Sequence, residues 1–144
     1  MPSTMMLQTD TSTASYWITN PDNIVTDNVA AGGEFYGFWY EIKPHPDGAH
    51  ETSDICPNGV PLGQFKNNVA HSNKRFGLRI FLYNPREYPC EPVNEVSTDP
   101  MIRNEAQEAL FEDFITYKNE EVGVLAERNA VSYTHLTLPT ICSV

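Results

Sequence analysis

Three stretches of equal length decide the fold of this chain. Residues 25–40 read VTDNVAAGGEFYGFWY, residues 65–80 read FKNNVAHSNKRFGLRI, and residues 111–126 read FEDFITYKNEEVGVLA. The three stretches align without gaps, and each has a glycine at the same offset: Gly37, Gly77 and Gly123. A repeat of this kind indicates a solenoid, in which each unit stacks on its neighbours and the stack buries a continuous core.

The residues after each glycine alternate with a period of two, which is typical of a β-strand. The predicted inward positions are Phe38, Tyr40, Leu78, Ile80, Val124 and Ala126. The predicted outward positions are Trp39, Arg79 and Leu125. Together these patterns predict an all-β fold over residues 1–130, a right-handed parallel β-helix of the pectin-lyase type, with a further strand around Trp17 in its first coil. The alternative is a β-sandwich whose strands have this spacing by coincidence.

The alternation breaks before each glycine at Asp27-Asn28, Asn67-Asn68 and Asp113-Phe114. Asn and Asp tolerate left-handed backbone better than most residues, so we expect the strands to bend at these positions. Stacked Asn side chains, here Asn28 and Asn68, are then expected to hydrogen-bond along the axis. The repeat glycines are expected to supply unusual backbone angles where the strands begin.

Two long segments separate the repeats, at about residues 43–60 and 82–108, and both are rich in proline, acidic and turn residues. We expect them to project as loops, which in a solenoid are commonly functional and gather on one face. Each contains one cysteine, Cys56 or Cys90. If the loops lie side by side, a disulfide between these cysteines would join them, which requires an oxidising compartment. Two free thiols are the alternative.

The ends of the sequence carry separate expectations. Residues 131–140, VSYTHLTLPT, back-translate with ordinary codons into the transposase-end adapter used in sequencing libraries, so we expect residues 131–144 to be an artefact without a fold. The opening residues have no basic region and no apolar region of a signal peptide. We therefore expect an internal piece of a longer protein, truncated at both ends, whose secretion signal or anchor lies outside it.

The formal net charge of −10 argues against nucleic acid or an anionic membrane as a partner of the whole surface. Residues 55–86 differ, because they contain no Asp or Glu but carry Lys66, Lys74, Arg75, Arg79 and Arg86, with His71 beside them. Guanidinium and ammonium groups pair with carboxylates and sulfates, and an outward Trp39 would stack beneath a sugar ring. An anionic glycan is therefore a predicted partner. The alternative is that these bases neutralise acidic loops across neighbouring coils.

No cofactor and no metal site are predicted. The first loop contains possible ligands, but their spacing fits no standard zinc pattern: His45, Asp47, His50, Glu51, Asp54 and Cys56. A paired-carboxylate glycosidase needs two acids about 5–10 Å apart, whereas Asp27 and Asp113 are separated by two coils and are interpreted as corner residues. The chain also lacks a nucleophile elbow and a phosphate-binding glycine loop. No catalytic residue is assigned.

Several separate motifs follow one another along the chain. They are ASYWITNPDN at 14–23, NVAAG at 28–32, GFWY at 37–40, PLG at 61–63, NNVAHSN at 67–73 and FITYKN at 114–119. In this order they resemble the β-helix region shared by fibrocystin-L, the cell-migration-inducing hyaluronan-binding protein and the transmembrane hyaluronidase. The resemblance covers nearly all of residues 1–130.

The resemblance implies a large secreted or single-pass surface protein with a G8 domain upstream. The run GLRIF at 77–81 and the loop around Cys56 are more similar to the fibrocystin-L branch, a surface receptor, than to the hyaluronan-degrading branch. Residues linked to hyaluronan cleavage belong to a part of the family sequence that is absent here, so none is carried over. We therefore expect an extracellular or cell-surface β-helix that recognises an anionic glycan or an extracellular protein, with no membrane contact of its own. Part of a hyaluronidase-type enzyme is the alternative.

Overall fold

The computed structural model describes residues 12–94, 96–127 and, for the backbone alone, 132–134. The strands of this part are β1 Ala14–Ile18, β2 Ile24–Thr26, β3 Val29–Ala31, β4 Tyr36–Glu41, β5 Gln64–Lys66, β6 Val69–His71, β7 Phe76–Phe81, β8 Leu110–Glu112, β9 Ile115–Tyr117, β10 Val122–Glu127 and β11 Ser132–Thr134. The helical segments are short: two 3-10 turns, Gly48–His50 and Pro57–Gly59, and the helix α1, Pro100–Arg103.

The strands form three sheets whose strand pairs are all parallel. Their orders are β1-β4-β7-β10, β11-β8-β5-β2 and β3-β6-β9. Within the repeats, each coil contributes one strand to each sheet, and the next coil pairs with it in the same direction. A β-sandwich has antiparallel sheets. The predicted parallel β-helix is therefore confirmed.

The register shows how the coils differ in length. Ala14 lies opposite Tyr36, Tyr36 lies opposite Phe76, and Phe76 lies opposite Val122. The first of these coils is therefore only about half as long as each of the next two. The extra residues of the longer coils are the two predicted loops.

The inward positions of the strands after the glycines build the core. Phe38, Tyr40, Leu78 and Ile80 are fully buried, as predicted, and Phe38 packs edge-on against Phe65 and Phe114 with ring centroids 5.5 and 6.0 Å apart. Val124 is half-buried, but Ala126 is exposed. Their strand, β10, is the last one described in its sheet and has a partner on one side only, so the prediction of burial is wrong for Ala126.

The coils bend at left-handed residues. Asp27, Asn67 and Asp113 have φ angles of 57, 55 and 49°, which confirms the predicted corners. A second left-handed corner, which sequence analysis missed, follows each of these within the same coil. Gly32, Ser72 and Lys118 occupy it with φ angles of 72, 56 and 52°.

Buried asparagines connect the corners of successive coils. The Oδ1 atom of Asn68 accepts hydrogen bonds from the backbone N of Asn28 (3.0 Å) and from its Nδ2 (3.2 Å), which confirms the predicted stacking. The Nδ2 atom of Asn68 donates to the carbonyl of Val25 at 2.7 Å. A second ladder begins at Gly33, whose N donates to Oδ1 of Asn73 at 3.0 Å. It continues through Nδ2 of Asn73, which donates to Oδ1 of Asn119 at 2.9 Å.

The repeat glycines have a different role from the one predicted. None of Gly37, Gly77 and Gly123 has a positive φ, so the expectation of unusual backbone angles is wrong. Gly37 and Gly77 are instead required by packing. A Cβ atom at Gly37 would lie 2.6 Å from the carbonyl oxygen of Gly77, and one at Gly77 would lie 2.6 Å from the carbonyl oxygen of Gly123. The coils stack too closely here for any side chain.

The segment at residues 131–144 differs in part from expectation. Ser132–Thr134 form β11, parallel to β8, with Ser132 opposite Leu110. Three residues of the segment therefore do have a fold, because the open edge of β8 offers backbone donors and acceptors to any extended chain. The remainder of this expectation concerns residues outside the described part.

We predict that Gly77→Ala lowers the free energy of unfolding by about 2–3 kcal/mol, because the new methyl group overpacks the contact between coils. The matched control is Gly32→Ala. Gly32 has open space around it, so the substitution adds only left-handed backbone strain of about 1 kcal/mol. Urea denaturation followed by tryptophan fluorescence measures both. An equal loss in the two variants would contradict the packing explanation.

Candidate functional site

The predicted basic residues do not form one cluster. Lys66 ends β5, His71 ends β6 and Arg79 lies within β7, and these three strands belong to three different sheets. Arg86 lies apart in the second loop, where its Nη1 donates to the carbonyl of Asn104 at 3.3 Å. Sequence proximity suggested a single patch, but the corners of the coil point these side chains in different directions.

Four of these bases pair with carboxylates. Lys66 lies 3.8 Å from both Glu112 and Asp113, Lys74 lies 3.6 Å from Glu34, Arg75 lies 2.9 Å from Glu121, and Arg79 lies 3.3 Å from Glu127. The partners lie on adjacent coils, as the alternative interpretation predicted, but they lie in or directly after the repeats and not in the two acidic loops. Because the side chains of these pairs remain in contact with solvent, each pair adds little to the stability of the fold. A ligand anion would have to compete with them.

Arg79 has a structural role in addition to its ion pair. Its Nη1 donates to the hydroxyl of Tyr36 at 2.8 Å. Its guanidinium carbon lies 5.4 Å from the centroid of the Tyr36 ring and 5.7 Å from that of Trp39, within cation–π distance. Replacing Arg79 therefore removes packing as well as charge.

A column of outward side chains runs along the first sheet, with Trp17, Trp39, Arg79 and Leu125 in register. The rings of Trp17 and Trp39 are stacked with centroids 4.8 Å apart. Trp39 is only 8% exposed, because Trp17 covers it on one side and Arg79 on the other. The expectation that Trp39 offers an open ring to a sugar is corrected accordingly.

Trp17 carries the exposed ring, with 54% of its surface open to solvent. The sequence predicted a strand at Trp17, but the alignment of Trp17 with Trp39 was not predicted. The coil between these two residues lacks a long loop, so its spacing is much shorter than the spacing of the visible repeat glycines. The signal for this pair in the sequence is a tryptophan two residues before a Thr or a Glu (WxT or WxE), repeated at a shorter spacing than that of the glycines.

A cleft of about 490 Å³ opens beside Trp17, between the edge of the first sheet and the first loop. Its polar groups are held by contacts within the chain. Nε1 of Trp17 donates to Oε2 of Glu41 at 3.0 Å, and Nζ of Lys43 donates to Oδ2 of Asp47 at 2.6 Å. The hydrogen bond from Lys43 lowers the pKa of the Asp47 carboxyl below its usual value, so both groups are charged at neutral pH.

The far wall of the cleft includes His45 and Ile55. The Nδ1 atom of His45 lies 3.1 Å from the carbonyl oxygen of Ile55 and 3.6 Å from Sγ of Cys56. Because a carbonyl oxygen only accepts, Nδ1 carries the proton in this contact and Nε2 is left as an acceptor in the neutral ring. The wall therefore presents both apolar and polar surface.

The two loops lie side by side. Cys56 and Cys90 form a disulfide with a Cα–Cα distance of 5.3 Å. Two backbone hydrogen bonds join the same loops, from N of Asn84 to the carbonyl of Asn58 (3.0 Å) and from N of Arg86 to the carbonyl of Gly59 (2.8 Å). The disulfide thus fixes the segment that follows Ile55, and with it the far wall of the cleft.

Two further observations concern the described residues as a whole. Within residues 12–94 and 96–127, no three His, Cys, Asp or Glu side chains converge in a way that would hold a metal ion. No helix in that part of the chain has the length and apolar character needed to cross a bilayer.

Parallel ladders, asparagine-lined corners and two joined loops define a β-helix protein with elaborated turns. Residues 2–78 match the family model "CEMIP beta-helix", which is more than half of the chain. The chain belongs to this family.

Three relatives illustrate the range of the family. Human fibrocystin-L is 47% identical over 98 residues, which cover 68% of this chain, and mouse fibrocystin-L is 42% identical over 99 residues, which cover 69%. Human cell surface hyaluronidase CEMIP2 is 30% identical over 129 residues, which cover 76%. The matches span 2% of each fibrocystin-L and 9% of the hyaluronidase, so this chain corresponds to a small part of each relative.

We predict that Cys90→Ser lowers the free energy of unfolding by about 2–4 kcal/mol, because it opens a loop of 34 residues in the unfolded chain. Protein made in an oxidising compartment is compared with the same protein after reduction. Mass spectrometry of unreduced peptides should find Cys56 and Cys90 joined, with the loss of two hydrogens. Free thiols at both positions in folded protein would contradict the pairing.

Proposed function

We propose that this chain is a recognition segment of a large secreted or cell-surface protein, and that it binds an extracellular glycan or protein. The observation that supports this proposal is the pair of long loops that a disulfide holds side by side on an otherwise regular solenoid. Long ordered loops on a rigid scaffold are where binding residues concentrate. The names of two relatives support an extracellular glycan as the ligand. They are the cell surface hyaluronidase and the cell migration-inducing and hyaluronan-binding protein.

An anionic glycan such as hyaluronan is the ligand we propose for the basic residues. Lys74, Arg75 and Arg79, in or just before β7, would contact its carboxylates. Lys66 and His71 lie on other sheets and would contact a separate stretch of the polymer. Because the two lysines and the two arginines already have carboxylate partners, the free energy gained from a new anion is small. We therefore expect weak binding that disappears as salt increases.

Part of a hyaluronan-degrading enzyme is the second candidate, and the 30% identity to human cell surface hyaluronidase favours it. In that case the catalytic groups belong to other parts of the parent protein. Incubation of this chain alone with hyaluronan should leave the polymer length unchanged, whereas the parent protein should shorten it. Depolymerisation of hyaluronan by this chain alone would refute the proposal that the catalytic groups belong to other parts of the parent protein.

The domain limits are likewise a proposal. Residues 1–130 would be the partial β-helix domain, and residues 131–144 would come from a sequencing adapter. Transcript reads across Ala130 test this directly. Reads that continue into genomic sequence encoding the same residues would refute the adapter origin.

We predict that Glu121→Gln strengthens the binding of hyaluronan or heparin at low salt by about two- to fivefold, because it frees Arg75 from its carboxylate partner. Glu120→Gln is the matched control. It changes the net charge equally, but Glu120 makes none of the ion pairs found among the described residues. Affinity chromatography with a salt gradient measures both variants.

Two results would eliminate the basic residues as the binding site. One is an equal shift for the Glu121 and Glu120 variants, since general charge would then explain the gain. The other is binding by the original chain that ignores ionic strength and survives Arg79→Ala. Circular dichroism of the Arg79 variant must show the native fold, because Arg79 also packs against Tyr36 and Trp39.

A further inference from the structure

The disulfide between the two loops is asymmetric. Cys56 is buried, with 6% of its surface open to solvent, whereas Cys90 is exposed. The two loops follow β4 and β7, which are the inner strands of the first sheet. The bond therefore lies between the two middle coils and not at an end of the described solenoid. A thiolate from solvent reaches the sulfur of Cys90 more readily than that of Cys56, and such access governs which sulfur is attacked.

The buried sulfur has a hydrogen-bond donor beside it. Nδ1 of His45 lies 3.6 Å from Sγ of Cys56, and it carries the ring proton because it also contacts the carbonyl oxygen of Ile55 at 3.1 Å. A sulfur in a disulfide accepts only weakly from such a donor. A thiolate is negatively charged, and a hydrogen bond to the charged form stabilises it much more. His45 is therefore placed to stabilise Cys56 as the sulfur that leaves when the bond breaks.

The exposed sulfur has a partner that acts only after reduction. The carbonyl oxygen of Asp54 lies 3.5 Å from Sγ of Cys90. A disulfide sulfur has no proton to donate, so this contact is not a hydrogen bond while the disulfide is intact. A thiol at Cys90 has a proton and would donate it to this carbonyl. Both sulfurs thus have partners that favour the reduced form, and a disulfide whose reduced form is stabilised is easier to reduce.

We propose that the bond between Cys56 and Cys90 is a redox-labile disulfide, which a small thiol opens by attacking Sγ of Cys90. The thiolate of the small thiol forms a mixed disulfide with Cys90, and Cys56 leaves as a thiolate beside His45. A second thiolate then attacks the mixed disulfide at the sulfur of the small thiol and releases Cys90. The two small thiols are oxidised to one disulfide, their two electrons reduce the bond, and their two protons end on Cys56 and Cys90.

Opening the bond would release the two loops from each other while the solenoid keeps its strand ladders, because neither cysteine belongs to a strand. The hydrogen bonds from N of Asn84 to the carbonyl of Asn58 and from N of Arg86 to that of Gly59 would remain between the loops. Such local contacts open at low free energy once the covalent link is gone. The chemistry of the bond goes beyond the proposed recognition function, and only the consequence that reduction alters recognition rests on that function.

The first experiment identifies the sulfur that is attacked. The oxidised chain is incubated with reduced glutathione at neutral pH, free thiols are blocked with N-ethylmaleimide at successive times, and the peptides are analysed by mass spectrometry. We expect glutathione on Cys90 and maleimide on Cys56 in the earliest intermediate, at least about fivefold over the reverse pattern. Equal labelling, or glutathione mainly on Cys56, would overturn the assignment of the two sulfurs. A bond that stays intact for several hours in about 10 mM glutathione would be an ordinary structural disulfide, and the proposal would be wrong.

Substitutions at His45 test the role of its Nδ1 proton. His45→Leu should slow the opening of the bond by about five- to tenfold, because the leaving thiolate loses its donor. His45→Asn should stay within about twofold of the original rate, since the amide nitrogen of Asn occupies nearly the position of Nδ1. The matched control is His50→Leu, which replaces an exposed histidine of the same loop and should leave the rate unchanged. Equal rates for His45→Leu and His50→Leu, or equal slowing by Leu and Asn at position 45, would contradict the role of this proton.

Hydrogen exchange tests the release of the loops. In the reduced chain, peptides that contain the amides of Asn84 and Arg86 should exchange at least about tenfold faster than in the oxidised chain. Peptides from β7 should not change, because β7 lies between β4 and β10 in its sheet. Unchanged exchange in the loops, or loss of protection in β7, would overturn the proposed release. None of these measurements uses a glycan or protein ligand, so the redox proposal and the recognition proposal fail separately.

Discussion

The hydrogen bonds of the buried corner asparagines are the constraint on which the rest of the structure depends. At each corner the sheet ladders are interrupted, and the backbone groups there need other partners. Asn68 supplies them between the first two repeats, and Asn73 with Asn119 supplies them at the following corner. A buried polar group without a partner costs about 1–3 kcal/mol. The repeats can therefore stack only in the one register that aligns these amides.

Because the strands keep this register, differences in the loops do not alter the scaffold. The short coil from Ala14 to Tyr36 shows how little chain is needed to return to the same position, and the two longer coils still leave every strand opposite its partner. Lengthening a loop costs little entropy, about 0.6 kcal/mol for each doubling. The loops can therefore vary in length and composition while the core stays unchanged. In this chain the disulfide and the hydrogen bonds between the loops restore the rigidity that long loops lack.

The sequence predicted the features that depend on local pattern. It did not predict the features that depend on contacts between residues far apart in the chain. The repeat, the inward positions of β4 and β7 and the left-handed Asp27, Asn67 and Asp113 follow from periodicity and backbone preference alone. Gly77 was misinterpreted because its preference for positive φ is a local property, whereas its actual role depends on a backbone oxygen of the next coil. The cleft could not be predicted, because its walls join a strand to a loop through contacts that no short-range pattern records.

The distribution of charge links the fold to the kind of ligand it can recognise. Since the coils stack at close distance, a base on one coil lies within reach of side chains on the next coil, and in an acidic chain some of these side chains are carboxylates. Arg75 with Glu121 and Arg79 with Glu127 are the result. An external anion must displace these partners, so charge alone gives such a surface little affinity.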